Sequence, residues 1–273
     1  MSEKSSQFSI TKVTPAYWRI TFSNPPLNLL NPEAILELQA IVNWVESDAE
    51  LRVAVFDSAH PDFFIARYDV SRAAETPVQP GPTGLPTWID LTTRLSQAPV
   101  VSIAAVRGRV RGGGSELTLA CDLRFASLEK AVFGQPEVPA GMLPGGGATE
   151  RLPLLTGRAR ALEIIIGGDD FDAATAERYG WINRALPDAE LDDFVDAFSR
   201  RVASFDKQAI AEAKRLVNRH SLPAEADLLE AQAAFLEATR SPAVYARSLR
   251  ARERAKAVGA DFELRLGHHL GTL

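Results

Sequence analysis

A run of three glycines after an apolar, strand-like segment is the strongest constraint that this sequence places on its fold. The segment 100–106 is apolar, and Gly112, Gly113 and Gly114 follow it. Glycines at such a position let a backbone approach a ligand closely, or let a helix begin against one. Glu116 comes just after the run, so we expect its side chain to point toward whatever is bound there.

A second carboxylate follows a second apolar stretch. Glu137 ends the segment Phe-Gly-Gln-Pro-Glu at 133–137, which closes the strand-like run 122–133. Two acids placed in this way indicate a pair that moves protons. The alternative is that both are surface or capping acids, with Glu116 as a first-turn charge favoured by the helix dipole.

Composition narrows the class of protein. The 273 residues are enough for one large domain, or for one domain with a helical appendage. A net charge of −5 argues against nucleic acid as the main partner, because no overall basic surface would neutralise phosphates. Cys121 is the only cysteine, which excludes an intramolecular disulfide and favours a reducing compartment.

Two further patterns bear on location and metals. The polar residues 1–7 lack the apolar core of a signal peptide, and no apolar run is long enough to span a bilayer. We therefore expect a cytoplasmic protein without a membrane partner. The four histidines show no paired ligand spacing, so we expect no metal site, and we expect the adjacent pair His268 and His269 to form a solvated tail.

The hydrophobic pattern predicts strands with intervening helices up to about residue 190, and helices alone beyond it. Strands are predicted at 8–13, 17–22, 53–56, 100–106 and 182–186. Helices are predicted at 32–48, 88–95, 148–157, 158–166, 173–179, 191–204, 206–219, 223–240 and 242–258. The segment 71–86, which is rich in proline, is expected to be a mobile loop and a candidate lid. We divide the chain into a catalytic core, 1–190, and a helical C-terminal region, 191–273.

Several motifs, taken in order, resemble the core of the crotonase (enoyl-CoA hydratase/isomerase) superfamily. They include Gly-Gly-Gly-Ser-Glu-Leu at 112–117, Ala-Cys-Asp at 120–122, Phe-Gly-Gln-Pro-Glu at 133–137, Leu-Pro-Gly-Gly-Gly at 143–147 and Arg-Leu-Pro at 151–153. The resemblance implies an α/β fold, a spiral of β-β-α turns with a C-terminal helical region that forms trimers, often paired into hexamers. It also implies a coenzyme A thioester as substrate, with no separate cofactor.

The resemblance further implies a site. Family members hold the thioester oxygen in an oxyanion hole of two backbone N–H groups, which match Tyr68 and Gly113. Glu116 matches the base that acts on water, and Glu137 matches the acid that supplies or removes the proton at the α-carbon. The positions that match the substrate-binding surroundings are Leu27, Ala66, Arg67, Asp69, Gly112, Pro136 and Gly145, the last of them beside the catalytic water.

The first departure from the family pattern lies in the oxyanion loop. Arg67 occupies a position that is usually glycine, and Tyr68 replaces a small residue. A glycine can adopt backbone angles that arginine avoids, so Arg67 puts the local geometry in question. The Tyr68 side chain could narrow the acyl pocket or serve only as its wall. Asp69 is expected to cap the following turn or helix rather than to react.

Two more departures flank the triple glycine. Glu116 and Glu137 are 21 positions apart, one more than in typical hydratases, and we expect the extra residue in a turn at 127–131. Three arginines alternate where the family usually carries Asn and apolar residues: Arg107, Arg109 and Arg111. For these arginines a solvated or salt-bridged face is favoured over a clamp on phosphates.

We therefore predict an enzyme that adds water to a 2-enoyl-CoA thioester to give a 3-hydroxyacyl-CoA. An enoyl-CoA isomerase that works with Glu137 alone is the nearest alternative, followed by an acyl-CoA lyase or a thioester hydrolase on the same scaffold. A non-catalytic acyl-CoA-binding subunit is the alternative from another class, and Arg67 in the oxyanion loop would be a sign of it.

Overall fold

The computed structural model describes residues 6–273. Residues 1–5, which belong to the polar segment 1–7, lie outside the described residues. Within the described range the chain forms two β-sheets and a series of helices. Every helix in this range is too short or too polar to cross a bilayer.

The larger sheet has six strands in the spatial order β1-β2-β3-β5-β7-β10. Its strands are β1 (Phe8–Thr14), β2 (Tyr17–Phe22), β3 (Val53–Ser58), β5 (Val101–Val106), β7 (Leu123–Ser127) and β10 (Arg184–Leu186). The first two strands form an antiparallel hairpin, and every other neighbouring pair is parallel. Apolar side chains are buried on both faces, as expected for parallel strands covered on both sides.

The smaller sheet has four strands in the order β4-β6-β8-β9. They are β4 (Phe63–Ile65), β6 (Arg109–Arg111), β8 (Val132–Gly134) and β9 (Asp170–Asp172). The first three are parallel and β9 is antiparallel to β8. Strands β4, β6 and β9 were not predicted, because three residues are too few to show an alternating pattern. The strand-like run predicted at 122–133 is two strands in the structure, β7 and β8.

The two sheets are linked by a repeated unit. The chain passes from β3 to β4, from β5 to β6 and from β7 to β8, and each pair is followed by a helix before the next strand. These are the predicted β-β-α turns of a spiral. The turn between β7 and β8 falls at residues 128–130, where the extra residue between the two acids was expected.

Six α-helices lie between the strands of the core. They are α1 (Pro32–Ser47), α2 (Thr87–Gln97), α3 (Gly113–Ala120), α4 (Ala148–Thr156), α5 (Arg158–Gly167) and α6 (Ala173–Tyr179). Helix α1 begins where the sequence predicted. The Asn31 side chain caps it by accepting a hydrogen bond from the Ala34 N–H at 2.9 Å, and Pro32 occupies the first turn. The segment 71–86 is only partly a loop, since it overlaps a short 3-10 helix, Val70–Glu75.

The C-terminal region is helical, as predicted. Its helices are α7 (Asp188–Ala203), α8 (Lys207–Ser221), α9 (Glu225–Thr239), α10 (Pro242–Val258), α11 (Asp261–Leu264) and α12 (Leu266–Gly271). Leu191 and Val195 of α7 pack against Val53 and Val55 of the six-stranded sheet. The predicted boundary at residue 190 falls within α7, and the division into two regions stays a prediction.

The end of the chain differs from the expected solvated tail. His269 is 1% exposed, its Nε2 lies 2.8 Å from Asp261 Oδ2, and its ring stacks on Phe262. The tail prediction is wrong for this residue because α11 and α12 fold back and bury it.

Several apolar side chains of α8, α9 and α10 are exposed to solvent: Leu216, Val217, Leu229, Leu236, Tyr245 and Leu249.

Candidate active site

Tyr68 and Gly113, the two residues expected to supply backbone donors, are neighbours where β4 and β6 end. Tyr68 lies three residues beyond β4, and Gly113 is the first residue of α3. A methyl group on Gly113 would lie 3.9 Å from Tyr68 Cβ, so the two residues are neighbours. Within residues 6–273 no acceptor pairs with either N–H. Two adjacent unpaired donors can hold a carbonyl oxygen and stabilise negative charge on it.

The Tyr68 N–H is unpaired because of how its segment pairs with Leu30. The Leu30 N–H donates to the Arg67 carbonyl at 2.9 Å, and the Asp69 N–H donates to the Leu30 carbonyl at 2.8 Å. In this parallel bridge Leu30 forms hydrogen bonds to Arg67 and Asp69, the two neighbours of Tyr68. The N–H of Tyr68 itself therefore has no partner in the bridge.

Arg67 needs no glycine-like backbone at this position. Among the described residues, Asn28 is the one non-glycine residue with a positive φ, at 55°. Arg67 therefore has a φ that any residue can adopt, and the question that the missing glycine raised about the loop geometry is answered.

Asn28 forms hydrogen bonds to the strand that leads into the oxyanion loop, and this role was not predicted from the sequence. Its side-chain amide donates to the Phe63 carbonyl at 3.2 Å and the Phe64 carbonyl at 2.7 Å, while its carbonyl accepts the Asn24 N–H at 2.6 Å. The residue is fully buried. Asparagine's tolerance of positive φ was the available signal, but it does not distinguish this turn from any other.

Two predicted substrate-binding residues lie beside Asn28. Leu27 is half-buried in the turn that precedes it. Ala66 is fully buried, and its N–H donates to the Asn28 carbonyl at 3.2 Å. Both residues therefore belong to the strip of chain that carries the Tyr68 donor.

Glu116 lies in the first turn of α3 and is 6% exposed, so it is not a surface acid. Its Oε1 accepts a hydrogen bond from the Gly146 N–H at 2.6 Å. Burial raises the pKa of Glu116 to about 7, and the hydrogen bonds from the backbone of Gly146 and Ala148 and the charge of Arg151 oppose that rise. These donors favour the ionised form.

Glu137 lies in the turn after β8, directly behind Pro136, which is buried. Its Oε2 is buried and has no hydrogen-bond partner within the described residues. A methyl group on Gly112 would lie 2.7 Å from its Oε1. Burial, and to a smaller extent the negative charge of Glu116, raises the pKa of Glu137 to about 8. The surroundings of Glu137 therefore favour the protonated form.

The two carboxyl groups lie close enough for the charge of Glu116 to act on Glu137, and their hydrogen-bond surroundings differ. Gly112, which touches Glu137, precedes the Gly113 donor, and Glu116 lies three residues beyond that donor. At neutral pH the pair holds one proton, and the pattern of donors places it on Glu137. The arrangement can deprotonate one group and protonate another within a single bound molecule.

Two glycines of the segment 145–147 have close neighbours, and the position of Gly145 beside a catalytic water stays a prediction. A methyl group on Gly145 would lie 2.5 Å from Phe235 Cβ of α9, so Gly145 packs under that ring. A methyl group on Gly146 would lie 2.2 Å from Glu116 Oε2 and 2.3 Å from Trp88 Nε1. Gly146 is thus the glycine in contact with Glu116, and Trp88 lines the same space.

Trp88, Phe235 and Arg151 were missed as site residues. Trp88 and Phe235 approach from distant parts of the chain, whereas Arg151 belongs to the motif at 151–153 but was given no role in the site. Arg151 is buried, and its Nη1 donates to the Gly146 carbonyl at 3.4 Å. Trp88 also lies 4.0 Å from a methyl group on Gly113, so its indole spans the space between one N–H donor and Glu116. No local pattern around Trp88 or Phe235 indicates a site.

The candidate lid is attached to the helix that carries Trp88. The Thr83 N–H and Oγ1 donate to Asp90 Oδ1 of α2 at 2.9 and 2.7 Å. At the other end, Tyr68 Oη lies 2.5 Å from Thr76 Oγ1. Asp69 accepts from the Ser71 N–H at 3.1 Å and so caps the 3-10 helix, as expected.

The three alternating arginines form ion pairs and hydrogen bonds within the chain, which is the favoured alternative. Arg107 pairs with Asp188 and Asp192 of α7, at 2.9 Å to each. The other two bind elements farther along the chain. Arg109 Nε donates to the Leu264 carbonyl at 2.7 Å, and Arg111 Nε lies 2.6 Å from Asp170 Oδ1.

Comparison with known proteins supports one assignment for this site. The family model for enoyl-CoA hydratase/isomerase matches residues 15–261. The short-chain-enoyl-CoA hydratase of Clostridium acetobutylicum is 32% identical over 203 residues, which cover 73% of this chain and 77% of the relative.

Solved structures agree in fold. A crystal structure from Streptomyces avermitilis, provisionally assigned as an enoyl-CoA hydratase, has a TM-score of 0.92 and 40% identity, and the match covers 100% of this chain and 99% of the other. An enoyl-CoA hydratase structure from Bacillus anthracis has a TM-score of 0.73 and 27% identity, covering 91% of this chain and 96% of the other. The chain therefore belongs to the enoyl-CoA hydratase/isomerase family.

Proposed function

We propose that this protein adds water across the double bond of a 2-enoyl-CoA thioester to give a 3-hydroxyacyl-CoA. The observation that carries the proposal is the pair Glu116 and Glu137, two carboxyls in opposite surroundings beside two unpaired backbone donors. Hydratase relatives that match most of the chain support the same reaction.

Each group has one task in this reaction. The N–H groups of Tyr68 and Gly113 donate to the thioester oxygen as it gains negative charge, and losing one such donor typically costs about 3 to 4 kcal/mol. Ionised Glu116 removes a proton from water as the water oxygen bonds to the β-carbon. Protonated Glu137 delivers its proton to the α-carbon. General acid and base groups of this kind each contribute roughly 10²- to 10⁴-fold.

The hydrogen-bond donors around the two carboxyls explain why Glu116 is ionised and Glu137 is protonated. The Gly146 N–H and the charge of Arg151 favour ionised Glu116, whereas Glu137 Oε2 has no donor within residues 6–273. The pair then starts with one proton and ends with one, since Glu116 gains what Glu137 loses. This chemistry needs neither a metal nor a redox cofactor, and coenzyme A enters as part of the substrate.

The proposal is tested by turnover of crotonyl-CoA in ¹⁸O-labelled water. We expect 3-hydroxybutyryl-CoA with one labelled oxygen at the β-carbon. Interconversion of 2-enoyl and 3-enoyl isomers without oxygen uptake would favour the isomerase. Hydrolysis or carbon–carbon cleavage would favour the other family chemistries, and tight acyl-CoA binding without any product would favour the non-catalytic subunit.

We further propose that the protein assembles as a trimer or hexamer through the exposed apolar residues of α8, α9 and α10. These three consecutive helices expose six large apolar side chains, which association with other subunits would remove from water. Light scattering should give a mass of about three or six times the 29.7 kDa chain, and a monomer would contradict this. The net charge of −5 and the single buried Cys121 fit a cytoplasmic protein without nucleic-acid or membrane partners.

A further inference from the structure

One residue near the C-terminus joins the two segments that carry the proposed oxyanion donors. Glu263 of α11 is 8% exposed. Its carboxylate pairs with Arg67, with Oε1 2.5 Å from Nη2 and Oε2 3.2 Å from Nε. Its backbone carbonyl accepts a hydrogen bond from Arg111 Nη1 at 2.9 Å. Arg67 adjoins Tyr68, and Arg111 is two residues before Gly113.

The Arg67 side chain also forms a hydrogen bond to the backbone of Tyr68. Its Nη1 donates to the Tyr68 carbonyl at 3.1 Å, while its backbone carbonyl accepts the Leu30 N–H at 2.9 Å. The Tyr68 N–H belongs to the peptide group that includes the Arg67 carbonyl. Leu30 therefore binds this peptide group directly. The Arg67–Glu263 pair binds the same loop through the Arg67 side chain.

Helix α11 is itself firmly held. Arg109 Nε and Arg111 Nη2 donate to the Leu264 carbonyl at 2.7 and 3.3 Å. Arg111 is fully buried and forms two bonds to Asp170, at 2.6 and 2.8 Å. Bidentate arginine–carboxylate pairs impose geometry as well as attraction. The carboxylate that binds Arg67 thus has a fixed position relative to the strand that leads to Gly113.

We propose that Glu263 is a positioning residue for the oxyanion hole. Acting through Arg67, it sets where the Tyr68 N–H lies relative to the Gly113 N–H. On this account, the arginine that replaces the family's glycine has a partner supplied from the far end of the chain. The inference rests on the proposed function, because it takes these two N–H groups to be the donors to the thioester oxygen.

The test uses a chromophoric ligand, 4-(dimethylamino)cinnamoyl-CoA, whose absorption moves to longer wavelength when its thioester carbonyl is polarised. The wild-type protein should shift it to the red, and Glu263→Gln should reduce that shift clearly. The same variant should lower kcat for crotonyl-CoA hydration about 10- to 100-fold, less than the 10²- to 10³-fold for a donor that is removed outright. KM should change little, since most contacts with the ligand are unaffected.

The matched control is Asp261→Asn on the same short helix. Asp261 pairs with Arg265 and His269, so this change perturbs α11 without touching Arg67. It should leave the red shift and kcat as in the wild type. If Glu263→Gln does not fold, the double variant Arg67→Met/Glu263→Leu removes both charges together and leaves no buried charge unpaired. It should fold, bind the ligand and show the same reduced shift.

The outcomes separate the two proposals. A red shift of wild-type size in Glu263→Gln, or in the double variant, would overturn the role of Glu263 and leave the proposed function intact. Loss of the shift in Asp261→Asn would also overturn it, because any disturbance of α11 would then suffice. A wild-type protein that binds the ligand without a red shift would overturn the oxyanion hole itself.

Discussion

The Gly146 N–H donates a hydrogen bond to Glu116 Oε1 at 2.6 Å, and this contact distinguishes the two carboxyls of the site. Glu137 has a buried oxygen without a donor within residues 6–273. A carboxyl that accepts a backbone N–H is stabilised as the anion, whereas a buried carboxyl without donors retains its proton. In the proposed mechanism, this backbone contact is what makes Glu116 the base and Glu137 the acid.

Substitution of Gly146 by alanine should disable the base. The added methyl group would lie 2.2 Å from Glu116 Oε2 and 2.3 Å from Trp88 Nε1, so the carboxylate must move. We expect kcat to fall about 10²-fold or more, in line with the loss of a positioned general base. Steady-state kinetics with crotonyl-CoA would measure it.

The control for this change is Gly167→Ala. A methyl group there meets nothing within 4 Å, and Gly167 is an exposed residue at the end of α5. Its activity should match that of the wild type. Equal activity in the Gly146→Ala variant would show that Glu116 does not need its glycine contact.

The rate of hydration should depend on pH as a narrow bell. The reaction needs Glu116 ionised and Glu137 protonated, and burial raises their pKa values to about 7 and about 8. Activity is therefore lost as pH falls below about 7, when Glu116 gains a proton, and as pH rises above about 8, when Glu137 loses its proton. The two apparent pKa values belong to the pair. A profile of kcat/KM that is flat from pH 5.5 to 9.5 would contradict this assignment.

The stability of the protein should also reflect the buried acid. The folded-state pKa of Glu137 is raised from 4.5 to about 8, so between these values the folded protein binds more protons than the unfolded chain. The free energy of unfolding contributed by this group therefore falls as pH rises from about 4.5 to about 8. The Glu137→Gln variant has no carboxyl to ionise, so its free energy of unfolding should not show this decrease with pH.

Urea unfolding of the wild type and of Glu137→Gln at pH 5 and pH 9 would test this. The variant should gain stability relative to the wild type between the two pH values by at least about 1.4 kcal/mol, the equivalent of one pKa unit. A difference that stays constant with pH would show that the carboxyl is solvated in the folded protein.

Asn28 should be a large contributor to the stability of the oxyanion loop. Its buried amide bonds the carbonyls of Phe63 and Phe64, and its φ of 55° disfavours most residues. We expect Asn28→Ala to lower the free energy of unfolding by about 2 to 4 kcal/mol, since it leaves buried polar groups unpaired. Urea denaturation would measure the loss.

Asn28→Gly separates the two causes. Glycine tolerates the positive φ but supplies no amide, so this variant should be less destabilised than Asn28→Ala and still weaker than the wild type. An unfolding free energy within about 0.5 kcal/mol of the wild type would mean that the hydrogen bonds of Asn28 contribute little to stability.

Much of the fold could be predicted because its signals are local. Asn31 followed by Pro32 marks the start of α1, and the apolar run at 100–106 marks a buried strand. The triple glycine and Glu116 mark the start of α3. The three-residue strands of the smaller sheet could not be predicted, because their pairing depends on partners far along the chain.

The rest of the site could not be predicted because its members meet only in the folded chain. Phe235 covers Gly145 from α9, and Glu263 reaches Arg67 across 196 positions. Arg67 and Arg111 looked anomalous in the sequence, and their partners, Glu263 and Asp170, carry no motif of their own. A departure from a family pattern can thus mark a long-range contact that sequence spacing does not reveal.

The most direct test of the account is the hydration of crotonyl-CoA by Glu137→Gln. The amide keeps the shape of the side chain and cannot deliver a proton to the α-carbon, so kcat should fall by about 10²- to 10⁴-fold. The dissociation constant for butyryl-CoA, which has no double bond to hydrate, should stay close to that of the wild type when measured by calorimetry. Hydration at a rate within tenfold of the wild type would contradict the claim that the two glutamates share the chemistry.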